Sequence, residues 1–278
     1  TTTLSGTAVF TIGTVSDGGT ADNEEELYMQ YAYGLDLNSS FTGQDLFYAG
    51  IETGNASGPL ANMDSAVDPA TDDVLSVHSL LYSFPIGNVS VTTGPLFDQD
   101  DVVGATTSAY SGSFRLSANP FSLAGDETGP GIGITYSADN GIVASASYLS
   151  VGGSNSTQGL NADNGDDVAT LTFGYDGAGF GGGIVVTSND GEDTTTTAGY
   201  DAFGAGVYYT PESLPATISV AYDSKDPEAG NNSTDVFVGI DYEVGPGTLS
   251  VAYNTTDVEG GSADDQTGFE ISYAYAVN

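Results

Sequence analysis

The sequence predicts an all-β protein whose strands form an antiparallel β-barrel of about 16 strands. Apolar residues alternate with small or polar residues along almost the whole chain, which is the period of two that strands require. The composition, with 39 Gly, 17 Tyr, no Cys and no Trp, is rich in strand and turn formers. No stretch of 18 apolar residues occurs, so a membrane-spanning helix is excluded.

The alternation keeps one phase over many segments. In residues 248–253, Leu249, Val251 and Tyr253 alternate with Ser250 and Ala252. The same pattern of large residues recurs in Leu27–Leu37, Ile132–Tyr136, Leu171–Tyr175, Ala205–Tyr209, Ile218–Tyr222, Val236–Tyr242 and Phe269–Tyr275. There are about 15 such segments. Because bacterial single-chain barrels have an even number of strands, we expect a barrel of 16 strands, of which this sequence contains all 16 or 15.

The volume of a barrel indicates which way the large faces point. A soluble core must be filled to crystal-like density, and the lumen of a barrel with about 15 strands is too wide for these side chains to fill. We therefore expect the apolar faces to meet lipid and the small faces to line water, as in a transmembrane barrel. Arginine should then destabilise the protein at Val220 and be tolerated at the small-face positions Ser219 and Ser250.

Many strands carry a tyrosine at or near the end of the apolar face. A tyrosine ring is apolar and its hydroxyl is wet, so such residues suit the membrane–water boundary. The alternative is that they are ordinary strand formers. The predicted membrane-interface tyrosines are Tyr136, Tyr148, Tyr175, Tyr209, Tyr222, Tyr242 and Tyr253.

Charge excludes several classes of function. The formal net charge of -36 repels phosphate backbones, so nucleic acid is not expected as a partner. His78 is the only histidine and cysteine is absent, so imidazole or thiolate metal sites and His-dependent triads have no material. We expect neither an enzyme nor a cofactor. Acidic turns such as 163–167 offer hard oxygen ligands, so loosely bound divalent cations such as calcium remain an option.

Residues 95–130 interrupt the alternation. A connection of this length is usually functional. We expect it to fold into the barrel as a constriction loop in which acids face Arg115 or the opposite wall. The alternative for Arg115 is a pair with a neighbouring carboxylate, and Lys225 is interpreted as an ordinary turn residue. The predicted constriction residues are Asp98, Asp100, Asp101, Arg115, Asp126 and Glu127, and their excess of acids predicts a preference for cations.

Two stretches carry a family resemblance, LDLNSSFTGQDLFYAGIETGN (35–55) and LYSFPIGNVSVTTGPLFDQDD (81–101). They resemble the outer-membrane porins of cyanobacteria that usually carry an N-terminal surface-layer-homology domain, in the carbohydrate-selective porin group. The segments YYTPESLP (208–215) and VGIDYEVGPGTLSVA (238–252) are similar to marine picocyanobacterial members. The resemblance covers nearly the whole chain.

The resemblance implies a homotrimeric barrel domain over residues 1–278, embedded in outer-membrane lipid and passing inorganic ions and small hydrophilic solutes passively. The surface-layer-homology domain is not present in this sequence, and the ending YAYAVN lacks the terminal aromatic common in such barrels, so a closing strand is expected to be missing. The alternative function is a soluble secreted acidic β-protein that acts as a calcium-dependent surface or adhesion module.

Overall fold

The structure is a computed structural model of the 278-residue chain. It describes residues 2–14, 26–55, 73–112, 127–191, 198–260 and 266–277. None of the helices in these ranges is long and apolar enough to cross a membrane. The chain divides into two compact units, residues 1–82 and 83–278, which are described in turn.

The first unit contains strands β1 (Thr2–Gly13), β2 (Tyr28–Ser39) and β3 (Leu46–Gly54) and most of β4 (Ser76–Ile86). β2 pairs antiparallel with both β1 and β3. The connection from β2 to β3 is organised by the buried carboxylate of Asp45, which accepts hydrogen bonds from the hydroxyls of Ser40, Thr42 and Tyr82 at 2.7 Å each. Burial works to raise the pKa of Asp45, but these donors outweigh it and hold the pKa far below its usual range.

The second unit is an antiparallel meander in which each strand from β5 onward pairs with the next along the chain. The pairing registers are continuous except for a bulge between Gly94 and Phe97 in the first of these strands. The strands are β5 (Val89–Asp98), β6 (Thr128–Ser137), β7 (Ile142–Val151), β8 (Asp166–Gly177), β9 (Phe180–Gly191), β10 (Ala198–Tyr209), β11 (Ala216–Pro227), β12 (Ser233–Val244), β13 (Gly247–Val258) and β14 (Gln266–Tyr275).

The described residues therefore contain fourteen strands, and the expectation of sixteen is wrong. Most strands are ten to twelve residues long and continue past the apolar band into polar ends, so they are fewer than the roughly 15 alternating stretches of the sequence. The long stretch after β5 adds only a 3₁₀ turn, Asp100–Val102, and no strand before residue 112. Fourteen is also an even number, as single-chain bacterial barrels require.

Short and long connections alternate in the second unit. The even-numbered strands β6, β8 and β12 end in tight turns at residues 138–141, 178–179 and 245–246. Gly141, Gly179 and Gly245 have φ values of 89°, 85° and 62°, a left-handed conformation that glycine adopts without strain. The longer connections follow β5 and β7, at 99–127 and 152–165.

In these strands the apolar face is exposed and the small-residue face is buried, which is the reverse of the arrangement in a soluble protein. On the apolar face Leu171 is 60% exposed and Val220 is 42% exposed. On the small-residue face, Ser219 is 1% exposed and Ser250 is 2% exposed. The predicted alternation is confirmed. The expected tolerance of Ser219 and Ser250 to arginine is wrong, because the small-residue face of this unit is covered.

Candidate functional site on the small-residue face

The small-residue face is covered by the chain between β5 and β6. Residues 99–112, here called the inner segment, cross this face from β6 to β12. The amide of Gly104 donates to Ser145 Oγ on β7 at 3.1 Å. Further along, the amide of Ala109 donates to Ser219 Oγ on β11 at 3.1 Å, and that of Ser111 donates to Asp241 Oδ2 on β12 at 2.9 Å. Serine and aspartate oxygens of the wall thus replace the hydrogen bonds that an extended segment lacks.

Glycines on the strands make room for this close approach. A Cβ at Gly133 of β6 would lie 2.6 Å from a methyl of Val102, and a Cβ at Gly183 of β9 would lie 2.7 Å from that of Ala105. At Gly206 of β10 an added Cβ would overlap the carbonyl group of Thr107. The abundance of glycine in the sequence therefore has a specific use here, since it forms a track in which the inner segment lies.

The far end of the inner segment is fixed by an aromatic pair. The rings of Tyr110 and Phe237, both buried, meet edge-on with centroids 5.2 Å apart. Burial raises the pKa of Tyr110, and the charges of Glu270 and Asp241 raise it further. The Tyr110 hydroxyl therefore stays protonated over the physiological range of pH.

The near end is clamped by Gln99. Its backbone amide donates to the carbonyl oxygen of Glu127 at 2.9 Å, and the amide of Glu127 donates to Gln99 Oε1 at 3.3 Å. The buried Gln99 side chain also donates through Nε2 to the hydroxyls of Thr170 and Thr187, at 2.8 and 3.1 Å. One glutamine thus joins the departing and returning arms of the long segment to β8 and β9.

Four of the predicted constriction residues gather at this clamp. Asp98 Oδ2 accepts from Thr128 Oγ1 at 3.2 Å, and the amide of Asp98 donates to Asp101 Oδ2 at 3.2 Å. Asp100 lies between them in the 3₁₀ turn, and Glu127 begins the return to β6. Arg115 and Asp126 lie outside the described residues. The role of all six as a constriction stays a prediction.

The sequence reasoning missed two groups on the small-residue face. One comprises four buried acids of β11, β12 and β14, namely Asp223, Asp235, Asp241 and Glu270. Asp223 and Asp235 stand directly opposite each other in the register. The signal was available, because each is an acid at a small-face position within an alternating stretch. The other is Lys225, which belongs to β11 rather than to a turn.

The predicted interface tyrosines lie on the apolar face, at different distances from the strand ends. Tyr148, on β7, is half-buried, and its hydroxyl donates to Asn161 Oδ1 at 2.9 Å. Tyr222 and Tyr253 occupy the middle of β11 and β13. The remaining four lie within two residues of a strand end, and these are Tyr136, Tyr175, Tyr209 and Tyr242. Their position in a membrane interface stays a prediction.

The acidic turn at 163–167 borders a polar cavity of about 490 Å³. Asp163, Asp167, Asp190 and Glu228 line it. Within the described ranges, however, no three Asp, Glu, His or Cys side chains converge closely enough to hold a metal ion directly. Loose binding of divalent cations therefore stays a prediction.

Comparison with known proteins shows to which family the chain belongs. The Gram-negative porin family matches the chain over residues 1–278. The chain belongs to the Gram-negative porin family. No curated protein sequence matches it significantly. Among solved structures, a triple mutant of the Rhodopseudomonas blastica porin has a TM-score of 0.61 and 14% identity, covering 100% of this chain and 91% of that one. A loop-deletion mutant of OmpT, an outer membrane protein of Vibrio cholerae, has a TM-score of 0.58 and 16% identity, covering 98% and 87%.

Family membership explains the burial of the two faces. The porin is a transmembrane β-barrel protein of the outer membrane and a diffusion channel. Its exposed apolar face is therefore the lipid-facing one, and its small-residue face is the one turned to the lumen. The alternative of a soluble secreted protein is wrong. The family indicates a channel rather than an enzyme.

Proposed function

We propose that this porin passes inorganic ions and small hydrophilic solutes by passive diffusion and prefers cations. The observation that carries the proposal is the inverted burial of the strands, in which residues such as Val220 are exposed and polar residues such as Ser219 are covered. A sheet with this arrangement is stable only with lipid on one face and protein or water on the other.

The preference for cations is supported by the charges around the inner segment. Its Gln99 end, here called the base, has Asp98, Asp100, Asp101 and Glu127 in or directly beside it in the chain or at the clamp, and the small-residue face carries further buried acids on β8, β11, β12 and β14. Lys225 is the basic residue of the described chain, since Arg115, the other of the two, lies outside it. An excess of fixed carboxylates makes the potential along the path negative, so cations are concentrated there.

Four finer proposals accompany this function. Residues 1–278 form one barrel domain, because a sheet edge left open in lipid would expose unsatisfied backbone groups. The porin assembles as a homotrimer, and it belongs to the cyanobacterial surface-layer-homology group, both of which rest on the resemblance of residues 35–55 and 81–101. Divalent cations bind loosely at loop acids such as Asp163.

The test is the reversal potential of the purified porin in planar bilayers under a KCl gradient, with and without a chelator. We expect a potential of the sign given by K⁺ permeation. The preference should weaken as salt rises, because the screening length falls from about 8 Å at physiological salt to about 3 Å at 1 M. Preference for chloride in chelated protein would refute the proposal, and so would the absence of channels. A heat-modifiable trimer in detergent tests the assembly.

A further inference from the structure

Lys225 occupies an unusual place for a charged residue. It shares the small-residue face of β11 with Ser219, Ala221 and Asp223, so it is turned to the lumen side of the sheet. Its ammonium Nζ lies 3.7 Å from the centroid of the Tyr200 ring on β10. An ammonium over an aromatic face is attracted by the partial negative charge that the ring's quadrupole places on that face.

Tyr200 connects this lysine to the inner segment. The ring is buried and packs with Val185 and Ala202, and Val103 of the inner segment packs against the same cluster. The carboxylate of Glu127, the residue before β6, lies within electrostatic reach of both Tyr200 and Lys225. The positive charge of Lys225 therefore lies near the carboxylate of Glu127, on the same cluster that Val103 of the inner segment contacts.

We propose that Lys225 is a selectivity-determining residue of the conducting path. The face of Tyr200 holds its charge in place, and this charge makes the potential at the base of the inner segment less negative. Tyr200 is the positioning residue. Lys225 is half-buried and its ammonium lies over the ring of Tyr200, a residue of the same small-residue face, so the charge stays on the lumen side of the sheet. The cation preference of the channel is then weaker than its acids alone would make it. This inference rests on the proposed function.

The sequence offers a direct experiment, because the chain contains no cysteine. Lys225→Cys introduces a single thiol that can be modified in an open channel with a methanethiosulfonate reagent. An ethyltrimethylammonium reagent restores a positive charge at the site, and an ethylsulfonate reagent adds a negative one. The matched control is Ser224→Cys, one residue away on the opposite face of β11.

Before modification, Lys225→Cys should raise the K⁺/Cl⁻ permeability ratio about sixfold at low salt, because one unit charge acting through roughly 8 Å of water changes the local concentrations of K⁺ and Cl⁻ by a factor of roughly 2.4 each, in opposite directions. The cationic reagent should return the ratio to that of the wild type, and the anionic reagent should raise it further. Both reagents should leave Ser224→Cys unchanged. Lys225→Arg, which keeps the charge and stacks well on an aromatic ring, should behave as the wild type.

Tyr200→Leu tests the positioning role, because it removes the aromatic face and leaves the charge. The permeability ratio should shift less than in Lys225→Cys, and the open-channel current should become noisier as the ammonium moves. If Lys225 had only a structural role, Lys225→Cys would have the same stability before and after modification with either reagent. The effect of modification would then not depend on the sign of the charge that the reagent adds.

Two kinds of failure are distinguishable. Wild-type channels that select chloride, or that do not conduct, would overturn the proposed function. Wild-type channels that prefer cations while Lys225→Cys keeps the same permeability ratio before and after both reagents would overturn the role of Lys225 alone.

Discussion

Gly206→Ala tests how closely the inner segment lies on the wall. Gly206 has no positive φ, so alanine meets no backbone strain there. The added Cβ would lie 2.9 Å from the carbonyl carbon of Thr107 and 3.2 Å from its Cβ, and would overlap the carbonyl oxygen. Because this neighbour is backbone, it cannot rotate away, and the segment must retreat by about 1 Å to reach van der Waals contact.

The cost of this displacement can be bounded from the contacts around it. Overpacking of this kind costs about 1–3 kcal/mol. The hydrogen bond from Ala109 to Ser219, at 3.1 Å, is two residues away and would lengthen, at a further cost of roughly 0.5–1.5 kcal/mol. We therefore expect the free energy of unfolding to fall by about 1.5–4.5 kcal/mol. The single-channel conductance should change too, because the displaced segment moves into the lumen.

The measurements are urea unfolding of the porin folded in lipid vesicles and single-channel conductance in planar bilayers. The control is Gly34→Ala on β2, where an added Cβ would meet no atom within 4 Å. Strand content measured by circular dichroism should be equal in both variants. If Gly206→Ala matched Gly34→Ala in stability and in conductance, the inner segment would not lie on β10, and the reasoning would be wrong.

Three further predictions use the same unfolding assay. Val220→Arg on the lipid-facing side should destabilise the porin by roughly 2–4 kcal/mol, whereas a loss near zero would contradict the assignment of that face. Asp241→Ala leaves the amide of Ser111 and the hydroxyl of Ser250 without their acceptor, so we expect a loss of about 1–3 kcal/mol and an altered conductance; unchanged values would place Asp241 away from the segment. Asp45→Asn should weaken the turn at 40–45. Because the pKa of Asp45 is lowered in the folded state, its stabilisation is complete above the unfolded pKa of about 3.9 and is lost below it, so the difference from the variant should shrink only in strong acid.

The sequence by itself determined the strands, their phase and the lipid-facing side. Alternation such as Leu249, Val251 and Tyr253 against Ser250 and Ala252 depends only on the period of a strand, which is a local property of the backbone. The scarcity of large side chains on one face was enough to exclude a core filled by both faces of the strands. The sequence did not determine the number of strands. The strands continue into polar ends where the apolar alternation stops, so the alternation does not mark where a strand ends.

Only the tertiary structure decided what the small-residue face does. Ser219 and Gly206 look like water-lining positions in the sequence, yet both contact the inner segment. Ser219 accepts a hydrogen bond from the amide of Ala109, and Gly206 lies against the backbone of Thr107. Their partners are about a hundred residues away in the chain, and no local pattern encodes such a contact. The same holds for Lys225, whose position over the ring of Tyr200 depends on the register between β10 and β11, and register is set by the pairing of whole strands.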